Sequence, residues 1–105
     1  MIMDLRKELE NYSIEIDENK LNLLKKFYLF LEESNKKVNL ISRRNFNKTF
    51  YTLTFQSIWV GNKISSISSL IDVGSGAGFP GIPIKIYLPS IKIYLVEPNK
   101  KKVNF

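Results

Sequence analysis

One ten-residue stretch limits this chain more than any other feature: Asp72-Val73-Gly74-Ser75-Gly76-Ala77-Gly78-Phe79-Pro80-Gly81. It follows Ser69-Leu70-Ile71, a short apolar run that predicts a buried parallel strand. It precedes Ile82-Pro83-Ile84-Lys85-Ile86-Tyr87-Leu88, predicted as helix. Glycines at alternate positions, Gly74, Gly76 and Gly78, let the backbone turn sharply and come close to a ligand, because no Cβ intervenes. Pro80 suits the first turn of a helix, where its missing N–H has no intrahelical partner to lose. Pro83 still falls among the first four donors that lack such partners. Strand, glycine loop and helix N-terminus in that order predict a nucleotide-cofactor site in a doubly wound α/β fold. A bare strand-to-helix turn would not need so many glycines.

Two cofactor classes fit these residues. Gly76-x-Gly78-x-x-Gly81 matches the dinucleotide fingerprint. Asp72 directly ahead of the alternating glycines instead resembles the first motif of S-adenosylmethionine-dependent methyltransferases. A second predicted strand, Ile91-Lys92-Ile93-Tyr94-Leu95-Val96, delivers Glu97 at its carboxyl end. A carboxylate there can accept both ribose hydroxyls of a bound nucleoside, which both classes require.

Composition narrows the chemistry. With 105 residues the chain has room for one domain at most. A net charge of +6 favours anionic partners such as RNA. The sequence has no Cys and no His, which excludes thiol catalysis and histidine-based triads and removes the commonest metal ligand, so no metal is expected. No apolar run approaches the roughly 18 residues of a membrane span. The N-terminus, Met1-Ile2-Met3-Asp4-Leu5-Arg6-Lys7-Glu8, is mixed in charge and lacks a signal-peptide core. The expected location is the cytoplasm, without membrane association, and the expected state is a monomer.

The chain ahead of the glycine stretch reads as helical. Residues 3–11 form a short amphipathic helix, and Asp17 can cap the next one. Leu21, Leu24, Phe27, Tyr28 and Leu31 recur at helical spacing, Leu23 and Phe30 widen the apolar face, and the helix is expected to end near Glu33. The aromatic residues of this helix read as core. From Ser34 to Arg44 the sequence reads as a basic loop in which Lys36, Lys37, Arg43 and Arg44 place four cations in nine residues with no acid. Such a loop is either a solvated surface or a set of phosphate contacts. A third, aromatic-rich helix is expected over 45–60, with Gly61 as its stop. Residues 61–68 then lead into the first strand.

Helix, Asn35-Lys36-Lys37-Val38-Asn39-Leu40, helix, then Ile71-Asp72-Val73-Gly74-Ser75-Gly76-Ala77-Gly78-Phe79-Pro80-Gly81-Ile82-Pro83 resembles a known family. It is the bacterial small-subunit ribosomal RNA methyltransferases that act on guanine N7, also called the glucose-inhibited division protein B family. Glu97 followed by Lys100-Lys101-Lys102-Val103-x-Phe105 is similar to the family's segment after the second strand. The resemblance covers nearly the whole chain. It implies an α/β fold, the N-terminal part of a class I S-adenosylmethionine-dependent methyltransferase, doubly wound and Rossmann-like, with an N-terminal helical extension. The extension is expected over 1–68 and the start of the cofactor-binding domain over 69–105. It further implies S-adenosylmethionine as cofactor, small-subunit ribosomal RNA as partner, cofactor contacts from Gly74 and Phe79, and Glu97 near the ribose. With the neighbouring Asp72, Ser75, Gly76 and Gly78, these make up the expected cofactor set.

The family usually carries Arg-His-x-x-Asp-Ser on the helix before the glycine strand. Here the aligned positions are Thr52, Leu53, Thr54, Phe55, Gln56 and Ser57, and only the serine remains. The sequence stops at Phe105, where the second helix of the fold begins, so the resemblance implies the N-terminal portion of a longer enzyme. Two other readings stand beside this one: a catalytically inactive remnant that binds RNA through its basic loops, and a different, dinucleotide-dependent enzyme. Methyl transfer from a sulfonium to guanine N7 uses a free lone pair, so no general base is needed and positioning can carry catalysis. No residue here is assigned as catalytic.

Overall fold

The computed structural model describes residues 2–41, 44–64, 66, 69–73 and 77–96. Helix α1, Ile2–Glu10, buries Leu5 and Leu9, one turn apart on the same face. It ends in a paired C-terminal turn: Ser13 N donates to Glu10 O and Ile14 N to Leu9 O, both at 3.0 Å. Ser13 takes the left-handed conformation, φ 60°, that this closure needs. Ile14 then packs in the same apolar cluster as Leu9, the side-chain contact that commonly accompanies such a turn.

Helix α2, Glu18–Lys37, starts where expected, with the Asp17 carboxylate accepting from Lys20 N at 2.8 Å. Leu21, Leu24, Phe27 and Leu31 are buried along it. The expected widening of that face fails, because Leu23 and Phe30 are 47% and 53% exposed and point away from the bundle. The helix also outruns its expected end near Glu33 by a full turn. Asn35 is buried on that turn, and its side chain organises the segment that follows: Oδ1 accepts from Leu40 N (2.7 Å) and Ile41 N (3.0 Å), while Nδ2 donates to Ile41 O (3.0 Å). A residue that favours loops in isolation thus serves here as a tertiary anchor.

Helix α3, Phe46–Lys63, buries Phe46, Phe50, Thr54, Ser57, Ile58 and Gly61. Gly61 is therefore not its stop. The helix runs on to Lys63, with Ile64 N closing on Val60 O. It is buried against a fourth helix, α4 (Gly81–Tyr87), where a Cβ would make ordinary 3.4 Å contacts with Ile84 and Tyr87.

Strands β1, Ser69–Val73, and β2, Lys92–Val96, pair in parallel, with Leu70 opposite Ile93 and Val73 opposite Val96. Helix α4 connects them, a βαβ crossover of the kind parallel strands require. Pro83 sits buried at its third position, where no N–H is missed. Lys85 reaches over the following turn to donate to the carbonyls of Pro89 (2.6 Å) and Ile91 (2.5 Å).

Helix α4 packs between α2 and α3 on one side and the two strands on the other. One apolar cluster joins Leu5, Leu9, Ile14, Ile16, Leu21, Leu24 and Ile58; a second, aromatic one joins Phe27, Leu31, Leu40, Phe46, Phe50 and Ala77. The strands are parallel as expected, yet they are not buried: Ile71 is 65% and Tyr94 55% exposed. Among the described residues each strand has one neighbour and no layer covers the face carrying Ile71, Tyr94 and Val96.

Candidate cofactor site and basic surface

The register of β1 and β2 brings their carboxyl ends level, Val73 beside Val96. The glycine stretch continues the chain from the first end and Glu97 from the second. Asp72 lies on β1 opposite Leu95, one residue before the strand closes. Gly74, Ser75, Gly76 and Glu97 lie outside the described residues.

The far side of the glycine stretch is firmly seated. Ala77 is buried in the aromatic cluster. Gly78 has φ +92°, and its carbonyl accepts from Ile82 N at 2.7 Å. The positive φ is what favours glycine here, and a Cβ at Gly78 would also push aside the Ile82 side-chain tip, 2.3 Å away. The Phe79 ring turns inward, with centroids 5.4 Å from Phe27 and 5.7 Å from Phe50. It fastens the loop to the helical bundle, which leaves its backbone and exposed edge as the parts free to meet a ligand. The Phe79–Pro80 peptide is cis, and Pro80 precedes the first residue of α4.

The expected basic loop is divided by the structure. Lys36 and Lys37 are exposed on the last turn of α2 rather than in a loop, since the buried Asn35 holds that turn helical. Lys36 Nζ lies 3.2 Å from the Glu33 carboxylate, an exposed pair of little energetic weight. Arg44 is exposed just before α3, and Arg43 lies outside the described residues.

Thr52 to Ser57 occupy the middle of α3. Thr52 and Gln56 face solvent, whereas Thr54 and Ser57 are buried. The Ser57 hydroxyl donates to Leu53 O at 2.6 Å within the helix, and Thr54 Oγ1 is buried without a hydrogen-bond partner among the described residues.

Two tyrosines bind α3 to its neighbours. The Tyr28 hydroxyl donates to the Asn47 side chain, and burial, with the Glu32 carboxylate second, raises its pKa. The Tyr51 hydroxyl donates to the Glu8 carboxylate. Burial first, then the bond to Glu8, pushes Tyr51 from 10.0 up to about 12. Both are structural ties; the helical spacing places Tyr28 on the apolar face of its helix, and the sequence reading does not single out Tyr51. A tyrosine on the bundle-facing side of an aromatic helix was the available signal. Among the described residues no group of three or more Asp and Glu is placed to hold a metal ion, and no helix is long and apolar enough to cross a membrane.

Residues 20–105 match the family described as rRNA small subunit methyltransferase G. The chain is 42% identical to the ribosomal RNA small subunit methyltransferase G of Mycoplasma capricolum over 98 residues, which are 91% of this chain and 41% of that protein. It is 38% identical to the protein of the same name from Mycoplasma mycoides over 104 residues, 97% of this chain and 74% of that protein. With the Caldanaerobacter subterraneus protein of that name it shares 44% identity over 82 residues, 76% of this chain and 34% of that protein. The chain thus spans about two fifths of the length of several relatives it matches, 41% and 43% in the Mycoplasma capricolum and phytoplasma proteins.

Proposed function

This chain belongs to the rRNA small subunit methyltransferase G family, and from that premise we propose that it carries the cofactor-binding part of an S-adenosylmethionine-dependent methyltransferase acting on guanine N7 of small-subunit ribosomal RNA. The fold proposed for the whole enzyme is the doubly wound class I sheet, with 1–68 as the helical extension and 69–105 opening the cofactor domain. A cytoplasmic monomer fits this role.

The observation that carries the reading is the level pairing of Val73 with Val96, with the glycine stretch leaving one strand end and Glu97 the other. A nucleoside laid across two adjacent parallel strand ends meets a close-approach loop on one side and a carboxylate on the other. That donor set fits S-adenosylmethionine: Asp72, Gly74, Ser75, Gly76, Gly78, Phe79 and Glu97 would hold it, Glu97 through the ribose hydroxyls. When bound, the group supplies an electrophilic methyl on a sulfonium. The chain's own contribution is orientation. Gly78 and the inward Phe79 ring seat the far end of the glycine stretch against the helical bundle. Lys36, Lys37, Arg43 and Arg44 would contact phosphates, which fix position on RNA without reading sequence.

Calorimetric titration tests the reading. S-adenosylhomocysteine should bind and a nicotinamide dinucleotide should not compete. Gly76→Val, which sets a branched side chain in the loop, should weaken binding about tenfold or more, roughly 1.4 kcal/mol. Displacement by the dinucleotide, or undiminished affinity in a folded Gly76→Val variant, would overturn the assignment.

A further inference from the structure

Helix α3 presents a face to solvent that the cofactor site does not use. Lys48, Thr52, Gln56, Trp59 and Lys63 are all exposed. Their spacing puts them within about a quarter of the helix circumference at 3.6 residues per turn. No acid occurs anywhere in the 18 residues of α3. Beside this stripe an open groove of about 490 Å³ is lined by Tyr12, Phe55, Gln56, Trp59 and Val60. Its walls are aromatic: Tyr12 meets Phe55 edge-on with centroids 5.7 Å apart, and Tyr12 and Trp59 are 59% and 39% exposed. Lys63 Nζ stands 5.3 Å from the centre of the Trp59 ring.

We propose that this face binds single-stranded RNA, with an unpaired base stacked in the groove against Trp59 and Tyr12, an adjoining phosphate on Lys63 and a phosphate several nucleotides along the strand on Lys48. Stacking platforms bordered by cations are how proteins hold single strands, because every base offers a π face and every nucleotide a charge. Gln56 at the groove's edge carries an amide that can donate to or accept from a base edge. The two lysines lie roughly 22 Å apart along the helix axis, far enough to meet separate phosphates. The charge pattern disfavours other occupants. Lysine is depleted at protein–protein interfaces, and two copies of a +6 chain meeting here would set Lys48 and Lys63 against like charges. Glu8 of α1, an acid that meets α3, has its carboxylate engaged by the Tyr51 hydroxyl. The choice of RNA over DNA rests on the ribosomal RNA reading above; the stacking surface itself does not.

Trp59 is the only tryptophan in the chain, so its emission reports on this face alone. Titration with a short single-stranded oligouridylate should quench it saturably. Trp59→Ala should weaken binding of the same labelled oligonucleotide by about fivefold or more, measured by anisotropy, while Trp59→Phe retains most of it. Replacing Lys48 and Lys63 together by Ala should lower the slope of log affinity against log salt by about 1.4. Circular dichroism checks that the variants fold. Should Trp59→Ala not fold, quenching of the native chain and the affinity of Trp59→Phe still decide. Unchanged emission at saturating RNA, or native affinity in folded Trp59→Ala, would overturn the proposal. So would an emission shift that depends on protein concentration without RNA, the mark of self-association. S-adenosylhomocysteine titration of the same samples separates the two readings. RNA binding at Trp59 without cofactor binding keeps this surface and rejects the cofactor site, and the reverse result rejects only the surface.

Discussion

Ser13 holds φ 60° at the end of α1, and the two 3.0 Å bonds that close the helix depend on it. A residue with a Cβ in the left-handed region is strained by roughly 1 kcal/mol or more, and glycine is not. Ser13 is exposed, so its side chain has no packing to lose. Ser13→Gly should therefore raise stability by about 1 kcal/mol, partly offset by the greater freedom of glycine in the unfolded chain, seen as a higher urea midpoint at unchanged slope. Tyr51 gives a second test at this scale. Its folded pKa is raised to about 12 from 10.0, so the folded state favours the protonated phenol. The stabilisation is complete below pH 10 and is lost as the pH climbs from about 10 towards 12. Thermal melts of the native chain should fall across that window. Tyr51→Phe, which cannot ionise or donate to Glu8, should melt lower at pH 8 but decline less between pH 10 and 12. Parallel pH profiles for the two proteins would place the ionisation elsewhere.

At the scale of elements, the two glycines Gly61 and Gly78 show what the sequence could and could not disclose. Both read as turn or stop signals, and only Gly78 acts as one. Gly61 lies inside α3, buried against α4, a tertiary fact that no local pattern in residues 45–61 contains. The same reason explains α2: Ser34-Asn35-Lys36-Lys37 has loop composition, yet the backbone bonds from Leu40 and Ile41 to the buried Asn35 hold the helix to Lys37. Leu23 and Phe30 misled for the converse reason, since apolar character does not say which side of a helix faces the bundle. What the sequence did disclose was the turn at Gly78, the Asp17 cap and the order strand, helix, strand around α4. The glycine assignments predict opposite outcomes for one substitution. At Gly61 a Cβ would make ordinary 3.4 Å contacts with Ile84 and Tyr87, so Gly61→Ala should stabilise α3 by up to about 1 kcal/mol through helix propensity. At Gly78 the same change meets φ +92° and a 2.3 Å approach to Ile82. Gly78→Ala should destabilise by about 2 kcal/mol or more. A Gly61→Ala variant destabilised as much as Gly78→Ala in denaturant titrations would mean that α3 and α4 pack too tightly there to admit a Cβ.

For the molecule as a whole, the two halves differ in how far they are covered. The helical bundle closes two apolar clusters around residues such as Leu5, Leu24 and Phe50, each 0% exposed. The sheet does not close: Ile71, Tyr94, Leu95 and Val96 are between 46% and 65% exposed. Parallel strands are ordinarily covered on both faces and flanked by further strands, since uncovered edges leave backbone donors and acceptors unpaired. The proposed cofactor set follows in sequence from the carboxyl ends of these same two strands, Val73 and Val96, the least covered part of the fold. A site that is competent only part of the time binds more weakly by that fraction. In the proposed reaction the positioning of guanine against the methyl group, worth up to about 7–11 kcal/mol in well-oriented reactions, would need residues beyond the cradle. A polypeptide of residues 1–105 on its own should therefore transfer no measurable tritiated methyl to small-subunit RNA, even where it still binds S-adenosylhomocysteine. A polypeptide carrying in addition the remaining length seen in the Mycoplasma capricolum relative, of which this chain matches 41%, should transfer it readily. Robust turnover by residues 1–105 would mean that the guanine pocket lies within them and that the exposed sheet is no obstacle to catalysis.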